Sequence, residues 1–429
     1  MQDHPLRYPL ANELHARPFP ALDVPSSAVY LAIAPHPGQP RDRAAERAHL
    51  LALLDRHGAD HPAPDATHWS GQVGRHVLKW ESHTEFVTFT AFAPGLTARA
   101  FDPAEFEVFP ADWLEAAPGV RATSAVIRIE PLAEDAVLGA ALAAHFVPES
   151  LASARVMEGA AVVAGDFRID PAGHMRFLIQ VAPETGPQRV GRILQRLCEL
   201  ETYKSMSMLG LACAREMGPR LDELDRKLTE LMADMRSTER SAEATLGGLL
   251  EISAELEDMA ARAAFRFAAT RAYEAIVTER IAMLREERYE GRQMLGEFMR
   301  RRFDPAMRTV AASERRLAGM ADRAMRAGEL LRTRVDVERQ GQNQALLASM
   351  DRRADLQLQL QRTVEGLSVV AISYYAVSLV GYLAYPLAEV IGLSKGMLTA
   401  LAVPPVVLAV WLVVRGIRSR HGGGDAHGG

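Results

Sequence analysis

Three regimes of hydrophobic spacing follow one another along the chain. Between residues 25 and 185 apolar residues come in short runs, at 28–33, 74–80, 84–90, 126–129, 161–164 and 175–181. Runs of this length, rich in β-branched and aromatic residues and punctuated by Gly, Pro and Asp, predict strands. Helical spacing interrupts them at 42–57 and 134–146, and residues 169–174 predict a turn before the last strand. The expected fold of residues 1–185 is therefore α+β, with a mixed, mostly antiparallel sheet.

From residue 186 to 365 the period changes. Between Gln188 and Glu365 only Pro219 and Pro305 interrupt a stretch dominated by Ala, Leu, Met, Glu and Arg, a composition of long helices. From Leu221 through Leu231, Thr238, Leu249 and Leu256 to Ala263, apolar or small residues recur at alternating steps of three and four. Six such heptads predict a coiled-coil-like seam about 65 Å long, with Gly247 and Gly248 as its weakest point. Pro305 suits the first turn of a last helix. That helix, over 305–365, is polar on most faces and needs partner helices to be stable.

The third regime is apolar throughout. Residues 367–388 and 396–414 form two uncharged runs of 22 and 19 residues, each long enough to cross about 30 Å of hydrocarbon. A seven-residue linker makes them a transmembrane hairpin within 366–415, followed by a basic, Gly-rich tail at 416–429 expected to be disordered. Arg352, Arg353 and Arg362 precede the first span and Arg415, Arg418 and Arg420 follow the second, against Lys395 alone between them. The positive-inside rule then puts both termini in the cytoplasm. Pro404 and Pro405 predict a kink in the second span, and neither span contains an ionisable residue of the kind that marks an ion path.

Composition and charge refine this layout. The mean hydropathy of -0.05 averages unlike parts, and the net charge of -5 is distributed as -9 over residues 1–185, +2 over 186–365 and +2 beyond. An acidic head disfavours nucleic-acid binding. Of 49 basic residues 45 are arginine. Cys198 and Cys213 are too far apart on a helix to bridge and suit a reducing compartment. The segment Met1-Gln-Asp-His-Pro-Leu-Arg7 has no apolar run, so no cleavable signal peptide is expected.

Candidate chemistry is sparse. No Gly-rich phosphate loop, nucleophile elbow or His-Glu-x-x-His pattern occurs, so no cofactor or enzymatic activity is expected. His57 and His61 would share a helix face, but Gly58 and Pro62 oppose a continuing helix. The densest polar cluster is His4 and Arg7 followed by Asn12, Glu13, His15 and Arg17. Prolines at 18 and 20 favour an extended path on which His15 and Arg17 point the same way and hold an anion; the alternative is that the cluster straps the amino terminus onto the fold.

His4-Pro-Leu-Arg7, Asn12-Glu-Leu-His-Ala-Arg-Pro-Phe19, Arg301-Arg302 with Pro305-Ala-Met-Arg-Thr309, Leu331-Arg-Thr-Arg-Val-Asp336, Met350-Asp-Arg-Arg353 and the string from Gln361 to Tyr375 resemble a bacterial family of membrane-anchored proteins, domain of unknown function 3422. Phe303-Asp304 and Val310 depart from the family pattern, where Leu and Cys are expected. The resemblance implies inner-membrane anchorage and no known activity. Two layouts accommodate these features. One is an anchored structural or interaction protein that associates with the bilayer, and with itself or a protein partner through the arm. The other is an oligomeric channel or transporter laid out like CorA-type magnesium channels, although the loop Gly392-Leu-Ser-Lys-Gly-Met-Leu398 lacks that family's Gly-Met-Asn.

Overall fold

The computed structural model describes residues 2–13, 19–235, 241–391 and 394–421. Two compact units divide the chain, Met1–Glu329 and Leu330–Gly429. In the first, the described residues supply nine strands to one sheet: β1 (Ser26–Ala34), β2 (His68–Val73), β3 (His76–Ser82), β4 (Val87–Pro94), β5 (Val120–Pro131), β6 (Ala152–Val156), β7 (Ala161–Gly165), β8 (Met175–Val181) and β9 (Glu287–Arg288). Their order is β2-β3-β4-β1-β5-β8-β7-β6-β9. Only β5 and β8 pair in parallel, so the sheet is mixed and mostly antiparallel as expected. The apolar runs locate β1, β3, β4, β5, β7 and β8. They miss β2, a half-exposed strand reading His-Trp-Ser-Gly-Gln-Val, β6, whose buried residues are mostly Ala and Ser, and the two-residue β9.

Both faces of the sheet are covered, which is why its strands read as continuous rather than alternating apolar runs. Val29, Leu31 and Ile33 of β1 face a layer of α2 (Arg43–Arg56), α3 (Ala111–Glu115) and α4 (Asp135–His145), filled by Leu50, Leu53, Trp113 and Leu138. Ala28, Tyr30 and Ala32 point the other way, as period-two geometry requires. That second layer comprises α5 (Pro187–Asp234), α6 (Ala242–Leu284), α7 (Leu295–Arg302) and the start of α8 (Asp304–Ile391), through Leu194, Leu197, Phe267, Phe298 and Met307. Val310 is 2% exposed in this core.

The arm differs from the sequence expectation. The three-four spacing persists from 221 to 263, but two helices carry it, because α5 ends at Asp234 and the Ser241 hydroxyl caps α6 by accepting from Ala244 N at 3.2 Å. Thr238 lies outside the described residues. The seam is thus two sides of an intrachain hairpin, roughly half the expected length: Arg220 of α5 pairs with Glu255 of α6, and a Cβ on Gly248 would meet Leu231 at 3.2 Å. Gly247 and Gly248 lie within α6 rather than at the break. α5 begins at Pro187, and its hairpin with α6 belongs to the same compact unit as the sheet.

In the second unit, α8 continues to Ile391 and α9 spans Lys395–His421. These two helices are long and apolar enough to cross a membrane. Pro404 and Pro405 lie inside α9, whose helix runs on through both. Arg415 stacks over the Trp411 ring at 4.9 Å. Residues 422–429 of the expected tail lie outside the described residues.

Candidate functional site

The polar cluster singled out in the sequence is only partly described. His4 and Arg7 flank the start of α1 (Arg7–Glu13); the His4 imidazole accepts from Leu6 N at 3.2 Å, and exposed Arg7 pairs with Asp3. Asn12 and Glu13 close α1 as helix rather than extended chain. His15 and Arg17 lie outside the described residues. The chain that follows does lie against α5: Leu22 N donates to Pro187 O at 3.1 Å, and Pro20 O approaches Gly191 so closely that a Cβ there would fall 1.7 Å away. His57 ends α2, and His61 contacts Asp55 at 2.7 Å instead of continuing a helix. Among the described residues no three His, Cys, Asp or Glu side chains are placed to share a metal ion.

The structure instead gathers ionisable side chains where β3 and β4 meet α5. Leu78 and Trp80 of β3 enter one apolar layer, so Lys79 and Glu81 point into the other, 7% and 8% exposed. Register aligns Lys79 with Thr90, Thr90 with Tyr30, and Glu81 with Thr88. The facing side chains of α5 are Gln195, Cys198, Glu199 and Thr202, spaced to share one helix face. Lys79 Nζ lies 3.1 Å from Glu81 and donates to Gln195 Oε1 at 3.0 Å. Gln195 Nε2 donates to Glu199 at 2.8 Å, and Arg280 of α6 closes the chain on Glu199. A lysine suits this place because its ammonium is a compact point charge, whereas a guanidinium requires a planar fork.

Tyr30 completes the chamber. Thr202 gives its proton to Cys198 O at 2.9 Å, so the 2.6 Å contact between Tyr30 and Thr202 has the phenol as donor. Burial, followed by Cys198, pushes the Tyr30 phenol well up; burial, followed by Glu199, does the same to the Cys198 thiol. Both groups stay protonated near neutral pH, and a buried protonated thiol is inert as a nucleophile. The chamber encloses about 30 Å³, room for a water or two and not for an organic ligand.

A larger cleft adjoins it through shared walls at His83, Phe86 and Tyr203 and measures about 420 Å³. The β3–β4 turn forms one side, held by Arg41, which ion-pairs with Glu46 at 2.6 Å and donates to Ser82 Oγ at 2.7 Å. Tyr203 and Tyr273 stack with centroids 5.4 Å apart, and Phe86 meets Tyr203 edge-on at 6.0 Å. Behind this aromatic wall Glu85 is 9% exposed and accepts from Tyr273 and Arg266, each at 2.8 Å. Arg266 Nη1 is buried without a hydrogen-bond partner. Size and lining suit binding of a small molecule; neither chamber nor cleft presents an activated nucleophile.

Elsewhere, Ser124 Oγ and His174 Nδ1 lie 2.9 Å apart, but both are buried and the Asp170 carboxylate caps the backbone of Ala172 and His174 rather than the imidazole. This is a turn-stabilising arrangement, not a catalytic triad. None of the chamber residues was selected from sequence. The available signal was the run His-Val-Leu-Lys-Trp-Glu-Ser, in which polar residues alternate within a strand whose neighbours are apolar.

No curated protein matches this chain. The family model described as Protein of unknown function (DUF3422) matches residues 2–421, and the chain therefore belongs to that family.

Proposed function

We propose that this is a membrane-anchored interaction protein, held in a bacterial inner membrane by a two-helix hairpin and self-associating through α8. The arginines on both outer flanks of the hairpin, with Lys395 alone between the spans, favour cytoplasmic termini. The observation that carries self-association is the exposure of α8 over residues 336–364. Apart from Ser349, every side chain there is exposed, including Leu346 at 60%, Met350 at 58%, Leu360 at 65% and Val364 at 56%. Positions 346, 350, 353, 357, 360 and 364 alternate steps of four and three, a heptad stripe interrupted by Arg353 and Gln357. Such a stripe is stable when a second helix covers it, and polar interruptions fix its register. A second copy anchored in the same bilayer presents the same stripe in parallel.

Oxidative cross-linking in native membranes tests this. In a Cys213→Ala background, Met350→Cys and Leu360→Cys are expected to form disulfide dimers, whereas Gln359→Cys, off the stripe, is not. Absence of dimers at all positions, together with a monomeric mass in detergent, would overturn the proposal. Higher oligomers with cation flux through liposomes would favour the channel layout instead.

A further inference from the structure

We infer that the cleft between the β6–β7 turn, the start of α5 and the end of α6 binds a phosphate-bearing ligand. It measures about 460 Å³ and is lined by Met157, Arg196, Glu279, Ala282, Met283 and Arg285. It lies apart from the chamber and cleft at β3 and β4 and is independent of self-association through α8.

The charge around it does not balance. Arg189, Arg192 and Arg196 occur at i, i+3 and i+7 of α5 and so share one helix face, and α6 and its cap bring Arg280 and Arg285 to them. Glu158 takes both Arg189, at 2.6 Å, and Arg285. Glu199 takes Arg280, which also lies 3.4 Å from Glu279. Five guanidinium groups thus share three carboxylates. Arg196 donates only to neutral groups, Met283 O at 2.9 Å and Met157 Sδ at 3.3 Å, and the buried Nε of Arg192 has no hydrogen-bond partner. Among the described residues no carboxylate pairs with Arg192 or Arg196. Burial, then repulsion from Arg192 and Arg280, loosens the proton on Arg196.

The backbone around the cleft is strained. Met157, Glu158 and Arg285 adopt φ of 52°, 54° and 47°, a left-handed conformation that non-glycine residues avoid and that clusters at binding sites. Met157 N donates to Leu284 O at 2.7 Å, fastening the turn to the end of α6. The strain places Arg285 and Glu158 at the rim, where the incoming anion competes with Glu158 for Arg285. A phosphate group carries up to two negative charges and accepts bidentate guanidinium hydrogen bonds, matching Arg196, which lines the cleft and has no carboxylate partner among the described residues. Met157, Ala282 and Met283 offer an apolar wall to whatever the phosphate is attached to. A soluble phosphate ester and a phospholipid headgroup share this chemistry.

Calorimetric titration of the full-length, detergent-purified protein distinguishes the sources. Inorganic pyrophosphate is one probe, and soluble dihexanoyl phosphatidylglycerol is the other. Saturable binding of at least one is expected, weakened about tenfold or more by Arg196→Gln, and unchanged by Arg226→Gln, which removes an exposed arginine elsewhere on α5. Binding of pyrophosphate assigns the site to soluble phosphates, and binding of the lipid alone assigns it to a headgroup. Thermal melting of the unmutated protein gives a readout that needs no variant, because the probe should raise the melting temperature more than sodium chloride of equal ionic strength. No saturable binding of either probe, or equal binding by the unmutated and Arg196→Gln proteins, would overturn the inference.

Discussion

His49 makes the stability of the first unit depend on pH with a sign and size that can be worked out. The side chain belongs to α2 and is 7% exposed. Its ring stacks on Trp113 with centroids 3.8 Å apart and planes 15° apart, while Trp113 Nε1 donates to His49 O at 2.8 Å. The imidazole Nε2 has no partner that would stabilise a proton. Burial, and then the nearby Arg56 guanidinium, pull the imidazole down from 6.5 to about 4. Between those values the unfolded chain binds a proton that the folded chain refuses, so stability falls as pH falls through this window and levels off below it. At pH 5 the unfolded ring is protonated by about 30 to 1 and the folded ring by about 1 to 10. The resulting loss between pH 7 and pH 5 is about 2 kcal/mol, out of about 3 kcal/mol for the full shift at 1.36 kcal/mol per unit. His49→Phe keeps an aromatic ring against Trp113 and removes the titration. Urea unfolding at pH 7 and pH 5, followed by tryptophan fluorescence, measures both proteins. Carboxylates common to both cancel in the comparison, so the variant should gain about 2 kcal/mol on the unmutated protein over this range. A stability difference that stays constant within about 0.5 kcal/mol between the two pH values would refute the reasoning.

Two further outcomes follow from close contacts. Lys79→Met removes the ammonium 3.1 Å from Glu81 in a buried chamber, which should cost about 3 kcal/mol, whereas the double variant with Glu81→Leu should recover most of it; a double variant less stable than either single variant would show that the pair itself stabilises the fold. Gly210→Ala puts a Cβ 2.2 Å from Thr270 Oγ1 across the α5–α6 contact, which should cost about 1–3 kcal/mol in urea unfolding and be relieved by adding Thr270→Ala; an unchanged midpoint in the single variant would mean that the helices shift apart freely.

Legibility from sequence followed the physics of burial. Apolar patterning found the strands buried on both faces as continuous runs, and found α2, α4 and the long helices, though not the five-residue α3, by spacing at every third and fourth residue. It missed β2 and β6, whose exposed or small residues leave no such pattern. The candidate sites escaped for a different reason: they are assembled from residues distant in sequence. Lys79 meets Gln195 across 116 positions, and Glu85 meets Tyr273 across 188. Each is an ordinary polar residue in its own segment, and its burial is decided by the pairing of β3 with β4 and the placement of α5 and α6. The amino-terminal cluster stood out because its polar residues are adjacent in sequence.

The same distinction governs how the heptad spacing is to be interpreted. A three-four repeat states that a helix has an apolar stripe; it does not state which helix covers it. From 221 to 263 the cover comes from within, since the stripe folds back on itself at the break before Ser241 and Leu221, Leu224, Leu249 and Leu256 are each 1% exposed or less. At 346–364 the stripe is shorter and more polar, yet Leu346, Met350, Leu360 and Val364 remain more than half exposed. Leaving four such side chains in water forgoes roughly 1.5–3 kcal/mol apiece if each were fully buried, and a helix exposed on every side gains nothing from packing to offset its own ordering. On the proposed self-association, a second copy would recover part of that energy without changing the fold of either, and shared anchorage in a bilayer would align the two stripes.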